Sequence, residues 1–225
     1  MILTSHQPNF LPYMGVFYKA FKSDVLVLSD DVCYSKKGMH NWNRIQTKAG
    51  EQKITVPVNA HHDSRLCDIS ISDPMRNLPK ICRTIKEAYA RANHFSEGME
   101  IIDRIEALSR EDLRLVKLNS NLIYYILRRF GIKTEVIMAS ELGITGHKDD
   151  RILQMCKIAK ADTYYSGTGA KAYHDEERYR KNGINLVYSD YQPVVYQRKY
   201  KPFLPNMSVI DYIFNAGFRI PEVWL

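Results

Sequence analysis

The amino-acid sequence predicts an α/β protein with a three-layer, mostly parallel sheet and a helical insertion or subdomain in its middle. Two observations indicate this fold class. Short apolar segments alternate with segments of helical spacing near both ends of the chain, and the region between them shows helical spacing alone. We therefore expect residues 1–225 to form a single α/β domain, with residues 73–131 as a helical subdomain.

The chain opens with the pattern of a βαβ unit. Met1–Ser5 is apolar and β-prone, and the prolines in His6–Pro12 interrupt regular structure. Helical spacing runs from Met14 to Phe21, and Asp24–Leu28 is typical of a buried strand. Because a crossover helix returns the chain in the same direction, these two strands are predicted to pair in parallel.

The later segments continue the pattern. Residues 32–58 indicate β structure with a turn near Gly50, and residues 73–131 indicate two or three helices that end at Gly131. The expected order after that is strand Thr134–Ser140, helix His147–Ala161, strand Ala161–Gly167, helix Ala170–Asn182, strand Ile184–Tyr191 and helix Asn206–Ala216, with Asn206 or Ser208 as the N-cap of the last helix.

Composition limits the classes of partner. The net charge of +7 and pI near 9.1 favour an anionic partner, although a basic protein without such a partner has the same composition. The basic residues are dispersed among acidic ones, which does not favour nucleic acid. No apolar run reaches the length of a membrane span, no signal peptide is visible, and the cysteines are scattered, so we expect a cytoplasmic protein with reduced thiols and no membrane partner.

Three polar segments follow predicted strands. They are His6–Asn9, Asp30-Asp31 and Ser166–Gly169. In open α/β sheets ligands bind beyond the carboxyl ends of strands, so we expect these segments to meet at one edge of the sheet.

The Ser166–Gly169 segment is the best phosphate candidate. The backbone at Gly167 and Gly169 can turn its N–H groups toward an anion, and Ser166 can add a hydroxyl. The segment is neither a P-loop nor a dinucleotide fingerprint, and a tight turn between strand and helix explains it equally well.

His6 is a candidate general base, because its ordinary pKa is near neutral. Asp30 or Asp31 could orient this imidazole, hold a substrate ammonium group or bind Mg²⁺, and Asn9 could donate to a ligand. The alternative interpretation is a histidine that only forms hydrogen bonds to its own loop.

A basic segment follows these acids. Lys36, Asn43 and Arg44 are candidates for substrate binding, with Arg44 suited to bidentate contact with phosphate. A solvated basic hairpin is the alternative interpretation.

Other chemistry has less support in the sequence. His61-His62-Asp63 and His174–Glu177 contain metal-ligand residue types without a zinc spacing, so no metal site is predicted. No serine lies in a G-x-S-x-G elbow and no cysteine has a histidine partner nearby, so the sequence gives no indication of a nucleophile. It identifies no cofactor either.

Long ordered motifs resemble the WbqC-like protein family. The opening block spans His6–Ile45, and further blocks lie at Ala139–Leu142, Ala161–Tyr173, Tyr196-Gln197 and Pro202–Phe218. The resemblance covers nearly the whole chain and is weakest in the helical middle. Ala139 departs from the family pattern, where serine is expected.

The resemblance implies a role in surface-polysaccharide synthesis of the O-antigen or lipopolysaccharide type. The implied activity is an acyl- or aminoacyltransferase that modifies a nucleotide-linked amino sugar. In that hypothesis the phosphates contact Ser166, Gly167, Gly169, Arg44 and Lys36, and the acyl donor is a thioester, for example on a carrier protein, or an acyl phosphate. His6 deprotonates the amine, Asp30 or Asp31 orients it, and Tyr173 and Gln197, from the later blocks, are further substrate-binding candidates.

Two alternatives from other classes stay open. One is a nucleotidyl-transfer or adenylate-forming enzyme of the H-x-G-H-like type, in which Asn9 lies near the position of the second histidine. The other is a non-catalytic protein that binds nucleic acid or a protein partner, favoured by the net charge alone.

Overall fold

The computed structural model describes residues 1–61, 63–110 and 112–225. The strands are β1 Ile2–His6, β2 Val25–Leu28, β3 Trp42–Thr47, β4 Gly50–Thr55, β5 Val58–Asn59, β6 Ser70–Ile71, β7 Glu135–Met138, β8 Thr163–Ser166 and β9 Asn185–Tyr188. The α-helices are α1 Met14–Phe21, α2 Pro74–Tyr89, α3 Phe95–Leu108, α4 Leu115–Arg129, α5 Lys148–Ala159, α6 Glu176–Lys181 and α7 Val209–Ala216.

A five-stranded parallel sheet forms the centre of the fold. Its strand order is β7-β2-β1-β8-β9, and every neighbouring pair is parallel. The chain adds β2 and β7 on one side of β1 and then crosses to the other side for β8 and β9. The predicted three-layer α/β class and the predicted parallel pairing of β1 with β2 are confirmed.

The sheet is covered on both faces. All four residues of β2 are buried, as expected for a central parallel strand. Leu26 and Leu28 belong to the larger apolar cluster with α1 to α4 and α7, whereas Val25 and Val27 belong to a smaller cluster with α5 and α6. Alternation along the strand therefore separates the two outer layers.

Three helices, α2 to α4, occupy residues 73–131. α3 contacts α2, α4 and α7, and this packing buries the apolar stripes that predicted the helices. α4 ends at Arg129, and Gly131 follows with φ +73° while its N–H donates to the Arg128 carbonyl at 3.0 Å. The predicted helix stop at Gly131 is confirmed.

Two segments differ from the sequence prediction. The part of residues 32–58 that precedes Trp42 forms turns, and regular pairing begins with the β3–β4 hairpin, in which Trp42 lies opposite Thr55. The predicted helix Ala170–Asn182 is divided into a 3-10 segment, Thr168–Tyr173, and α6. The division occurs because the Asp175 side chain caps α6, which requires extended backbone before the helix.

Buried side-chain amides hold the irregular segment after β1. Asn119 is fully buried, and its Nδ2 donates to the carbonyls of Pro8 at 2.7 Å and His40 at 2.8 Å. Asn43 is also fully buried and donates to the carbonyls of Phe10 and Leu11. These bonds satisfy carbonyl groups that no strand or helix could pair.

We expect Asn119→Ala to destabilise the protein by about 1–3 kcal/mol, because the buried Pro8 carbonyl loses its Asn119 donor and the His40 carbonyl keeps only the Phe10 N–H. The free energy of unfolding in urea measures the effect. Asn182→Ala removes an exposed amide that donates to the Arg178 carbonyl, and it should change stability by less than about 0.5 kcal/mol. Equal stability losses in the two variants would contradict the anchoring role of Asn119.

Candidate functional site

A cleft opens at the carboxyl ends of β1 and β8, where the strand order reverses. This is the position at which open α/β sheets bind their ligands. The cleft has a volume of about 450 Å³. We call it the switch-point cleft, and it is lined by Ser5, His6, Gln7, Tyr13, Lys19, Ser29, Val32, Lys148, Arg151, Ile152, Met155, Tyr164, Ser166, Gly167, Gly169 and Ala170.

His6 is the last residue of β1 and lies half-buried in this cleft. Its Nε2 lies 3.4 Å from Nδ2 of Asn9. Burial lowers the pKa of His6 well below its ordinary value, and the positive charge of Lys19 lowers it further. The imidazole is therefore neutral at pH 7 and can accept a proton.

Lys19 reaches the cleft from α1. The side chain is buried, and Nζ donates to the Ser5 carbonyl at 2.8 Å. Burial lowers the pKa of Lys19 to about 8. In the described ranges no carboxylate lies within ion-pair distance of this ammonium group. Its charge is available to an anionic ligand.

The two adjacent acids after β2 have different environments. Asp31 forms an ion pair with Arg151, a residue of α5 that lines the cleft. Asp30 is buried and accepts hydrogen bonds from the backbone N–H of Ser140 at 2.9 Å and from its hydroxyl at 2.6 Å. Asp31 is thus connected to the cleft through Arg151, whereas Asp30 joins the ends of β2 and β7.

The glycine segment after β8 borders the same cleft. A Cβ atom at Gly167 or Gly169 would meet no atom within 4 Å, and neither glycine has a positive φ. The glycines therefore leave open space next to Ser166. The 3-10 segment that follows is only six residues long, so a helix dipole adds little to anion binding there.

Ser166 belongs to a hydrogen-bonded chain that the sequence did not reveal. Its Oγ lies 2.9 Å from Nε2 of His174, and Nδ1 of His174 lies 2.6 Å from Oδ1 of Asp149. All three side chains are nearly buried. Sequence reasoning missed the chain because its members come from β8, the loop before α6 and the first turn of α5, and no local motif joins them.

The remaining predicted site residues do not line the switch-point cleft. Lys36, Tyr173 and Gln197 are exposed, Asn43 holds the loop carbonyls, and Arg44 pairs with Glu51 at 3.1 Å on the β3–β4 hairpin. The structure thus brings together His6, Ser166, Gly167 and Gly169. Asn9 is connected to the cleft by its contact with His6, and Asp31 by its ion pair with Arg151.

The described residues contain neither a cluster of metal ligands nor a helix that could span a membrane. Among residues 1–61, 63–110 and 112–225, no three or more His, Cys, Asp or Glu side chains gather as metal ligands. His62, from one of the histidine motifs considered above, lies outside the described residues. Within the same ranges, no helix combines the length and the apolar character that crossing a membrane requires.

Comparison with known proteins gives a family match over most of the chain. The model of the WbqC-like protein family matches residues 7–222. An uncharacterized protein of Mycobacterium tuberculosis is 30% identical over 221 residues, which cover 96% of this chain and 94% of that relative. No solved structure gives a significant match.

The environment of Lys19 predicts a pH-dependent stability. The folded-state pKa of about 8 lies below the ordinary value of 10.5, so the unfolded chain binds more protons between these pH values and stability rises with pH. Between pH 8 and 10.5, the free energy of unfolding of the wild type should rise by about 3 kcal/mol more than that of Lys19→Met. Urea unfolding at each pH measures this difference. Lys133→Met, at an exposed position, should follow the wild-type curve. If the free energies of unfolding of the wild type and Lys19→Met changed equally with pH, the lowered pKa of a buried Lys19 would be refuted.

Proposed function

The chain belongs to the WbqC-like protein family, and we propose that it is an acyl- or aminoacyltransferase that modifies a nucleotide-linked amino sugar in surface-polysaccharide synthesis. One observation carries the proposal. The switch-point cleft combines cationic side chains with a neutral imidazole at the reversal of a parallel sheet.

The cationic side of the cleft suits the phosphates of a nucleotide-sugar. Lys148 and Arg151 project from α5, and Lys19 projects from α1 on the opposite side of the sheet. The ion pair with Asp31 fixes the Arg151 guanidinium, so less side-chain freedom is lost when an anion binds. The net charge of +7 favours the approach of the same anions.

The imidazole suits the amine of the sugar. An ammonium group has no lone pair, and it must lose a proton before it can attack an acyl carbon. His6 is neutral because of its burial, and it can accept that proton when the sugar lies across the end of β1. Attack of the amine on a thioester then gives an amide and a free thiol, with the thiol taking up the proton.

The test is incubation of the protein with acyl-coenzyme A or an acyl carrier protein and a panel of nucleotide-linked amino sugars, followed by mass spectrometry. We expect an N-acylated nucleotide-sugar. His6→Ala should lower its rate of formation by roughly 10²–10⁴-fold, the usual contribution of a general base. His61→Ala, which changes an exposed histidine away from the cleft, is the matched control and should keep the wild-type rate.

Two results would overturn parts of this proposal. Full activity of His6→Ala would remove the imidazole from the mechanism. Pyrophosphate release from ATP, with no N-acylated product from any donor, would instead favour the nucleotidyl-transfer alternative.

A further inference from the structure

The chain of Ser166, His174 and Asp149 has the geometry of an activated nucleophile. The hydroxyl and the imidazole are 2.9 Å apart, and the imidazole and the carboxylate are 2.6 Å apart. In hydrolases and acyltransferases this connectivity lets histidine remove the serine proton while the carboxylate orients the ring. Such sites are recognised by geometry, because the order of the residues along the chain differs between unrelated folds.

The carboxylate at the end of the chain is ionised. Burial acts to raise the pKa of Asp149, but hydrogen bonds from the Asp175 N–H, from His174 and from the Tyr179 hydroxyl outweigh it, and the pKa lies below its ordinary value. An ionised Asp149 accepts a hydrogen bond from Nδ1–H of His174 and so keeps the proton on Nδ1. Nε2 then carries a lone pair that can accept the Ser166 hydroxyl.

Three tyrosines fix the imidazole. The ring of His174 packs edge-on against Tyr164 at 6.0 Å and Tyr179 at 5.4 Å, and it lies 6.2 Å from Tyr188. The Tyr179 hydroxyl also lies 3.1 Å from Nδ1. An orienting shell of this kind holds a base in a productive position, and a hydrogen bond at an exposed surface would not require it.

The hydroxyl faces a ligand site. Ser166 ends β8 and is almost fully buried at the floor of the switch-point cleft, which it shares with His6 and Lys148. The Ser166 hydroxyl lies 3.3 Å from the Gly167 carbonyl, which is farther than its 2.9 Å distance from Nε2 of His174. A Cβ atom at Gly167 or Gly169 would meet no atom within 4 Å, so the segment after Ser166 leaves unfilled space where it lines the cleft.

We propose that Ser166 is a nucleophile that carries the acyl group as a covalent ester, with His174 as its base and Asp149 as the positioning residue of that base. The inference rests on the proposed function, because it assigns to that cleft the intermediate of the acyl transfer. It changes the kinetic scheme from direct transfer to two half-reactions that use the same serine.

Each half-reaction balances. In the first, the Ser166 proton passes to Nε2 of His174, Oγ bonds to the acyl carbon, the carbon–sulfur bond of the thioester breaks, and the thiolate leaves with the proton from His174. In the second, the sugar amine attacks the ester carbonyl, and the bond between carbon and Oγ breaks. The attacking amine loses a proton to Nε2 of His174, which passes it on to Oγ. The net reaction is thioester plus amine to amide plus thiol.

The experiment uses p-nitrophenyl acetate as an acyl donor that needs no sugar. We expect a burst of p-nitrophenolate and an intact-protein mass that increases by one acetyl group, with peptide mapping placing the ester on Ser166. Ser166→Ala should lose the adduct. His174→Gln and Asp149→Asn should lower its rate of formation, by roughly 10³-fold or more for His174→Gln.

Ser189→Ala is the matched control, since Ser189 is a buried serine at the end of the neighbouring strand and its Oγ accepts from the Tyr191 N–H at 3.2 Å. It should form the adduct on Ser166 at the wild-type rate. A fluorophosphonate probe provides a second measurement in variants whose thermal unfolding shows that they are folded. Attachment of the acetyl group to Lys19 or His6, or an undiminished adduct in Ser166→Ala, would overturn the proposal.

The two proposals can fail separately. An acetyl ester on Ser166 without acylation of any amino sugar would support the nucleophile and count against the proposed substrate. Acylation of an amino sugar at the wild-type rate by folded Ser166→Ala would support the substrate and eliminate the covalent intermediate.

Discussion

Parallel pairing of β1 with strands on both of its sides is the constraint on which the rest of this structure depends. Leu3 lies opposite Val25 of β2 and opposite Tyr164 of β8, so the carboxyl ends of these strands come together. The helices that follow β1 and precede β8 cover opposite faces of the sheet, and they leave the ends of β1 and β8 uncovered. The cleft results from the reversal of strand order at β1, where the chain crosses from β7 to β8. Its position does not depend on which side chains line it.

The treatment of buried charge differs between the cleft and the rest of the protein. Outside the cleft, Arg198 lies 2.8 Å from Asp211, whose carboxylate also accepts hydrogen bonds from the hydroxyls of Tyr89 and Tyr196. In that network each buried charge has an oppositely charged partner, which is what burial demands of structural charges. In the cleft, by contrast, Lys19 donates to a backbone carbonyl, and His6 has only a long contact with Asn9. Buried titratable groups that lack a charged partner and have a shifted pKa are characteristic of sites that bind a ligand.

The layer that contains α5 and α6 also gains a role beyond covering the sheet. Asp149 accepts the backbone N–H of Asp175 as well as bonding to His174, so one carboxylate fixes both the loop after β8 and the imidazole within it. The predicted continuous helix over Ala170–Asn182 would have placed His174 within a helical turn. The extended backbone at His174, φ −88° and ψ 136°, instead lets its ring reach Ser166.

The sequence by itself determined the alternation of strands and helices near both ends of the chain, the stop at Gly131, and the meeting of His6 with Ser166–Gly169 at one edge. Periodicity, capping residues and the rule for parallel sheets act over short distances along the chain, so they can be recognised locally. Only the tertiary structure decided that Lys19 enters the cleft, that Asp30 bonds to Ser140, that Arg44 stays on its hairpin and that His174 lies between Ser166 and Asp149. These contacts depend on the strand order and on the packing of helices against the sheet, and neither is encoded in the spacing of neighbouring residues.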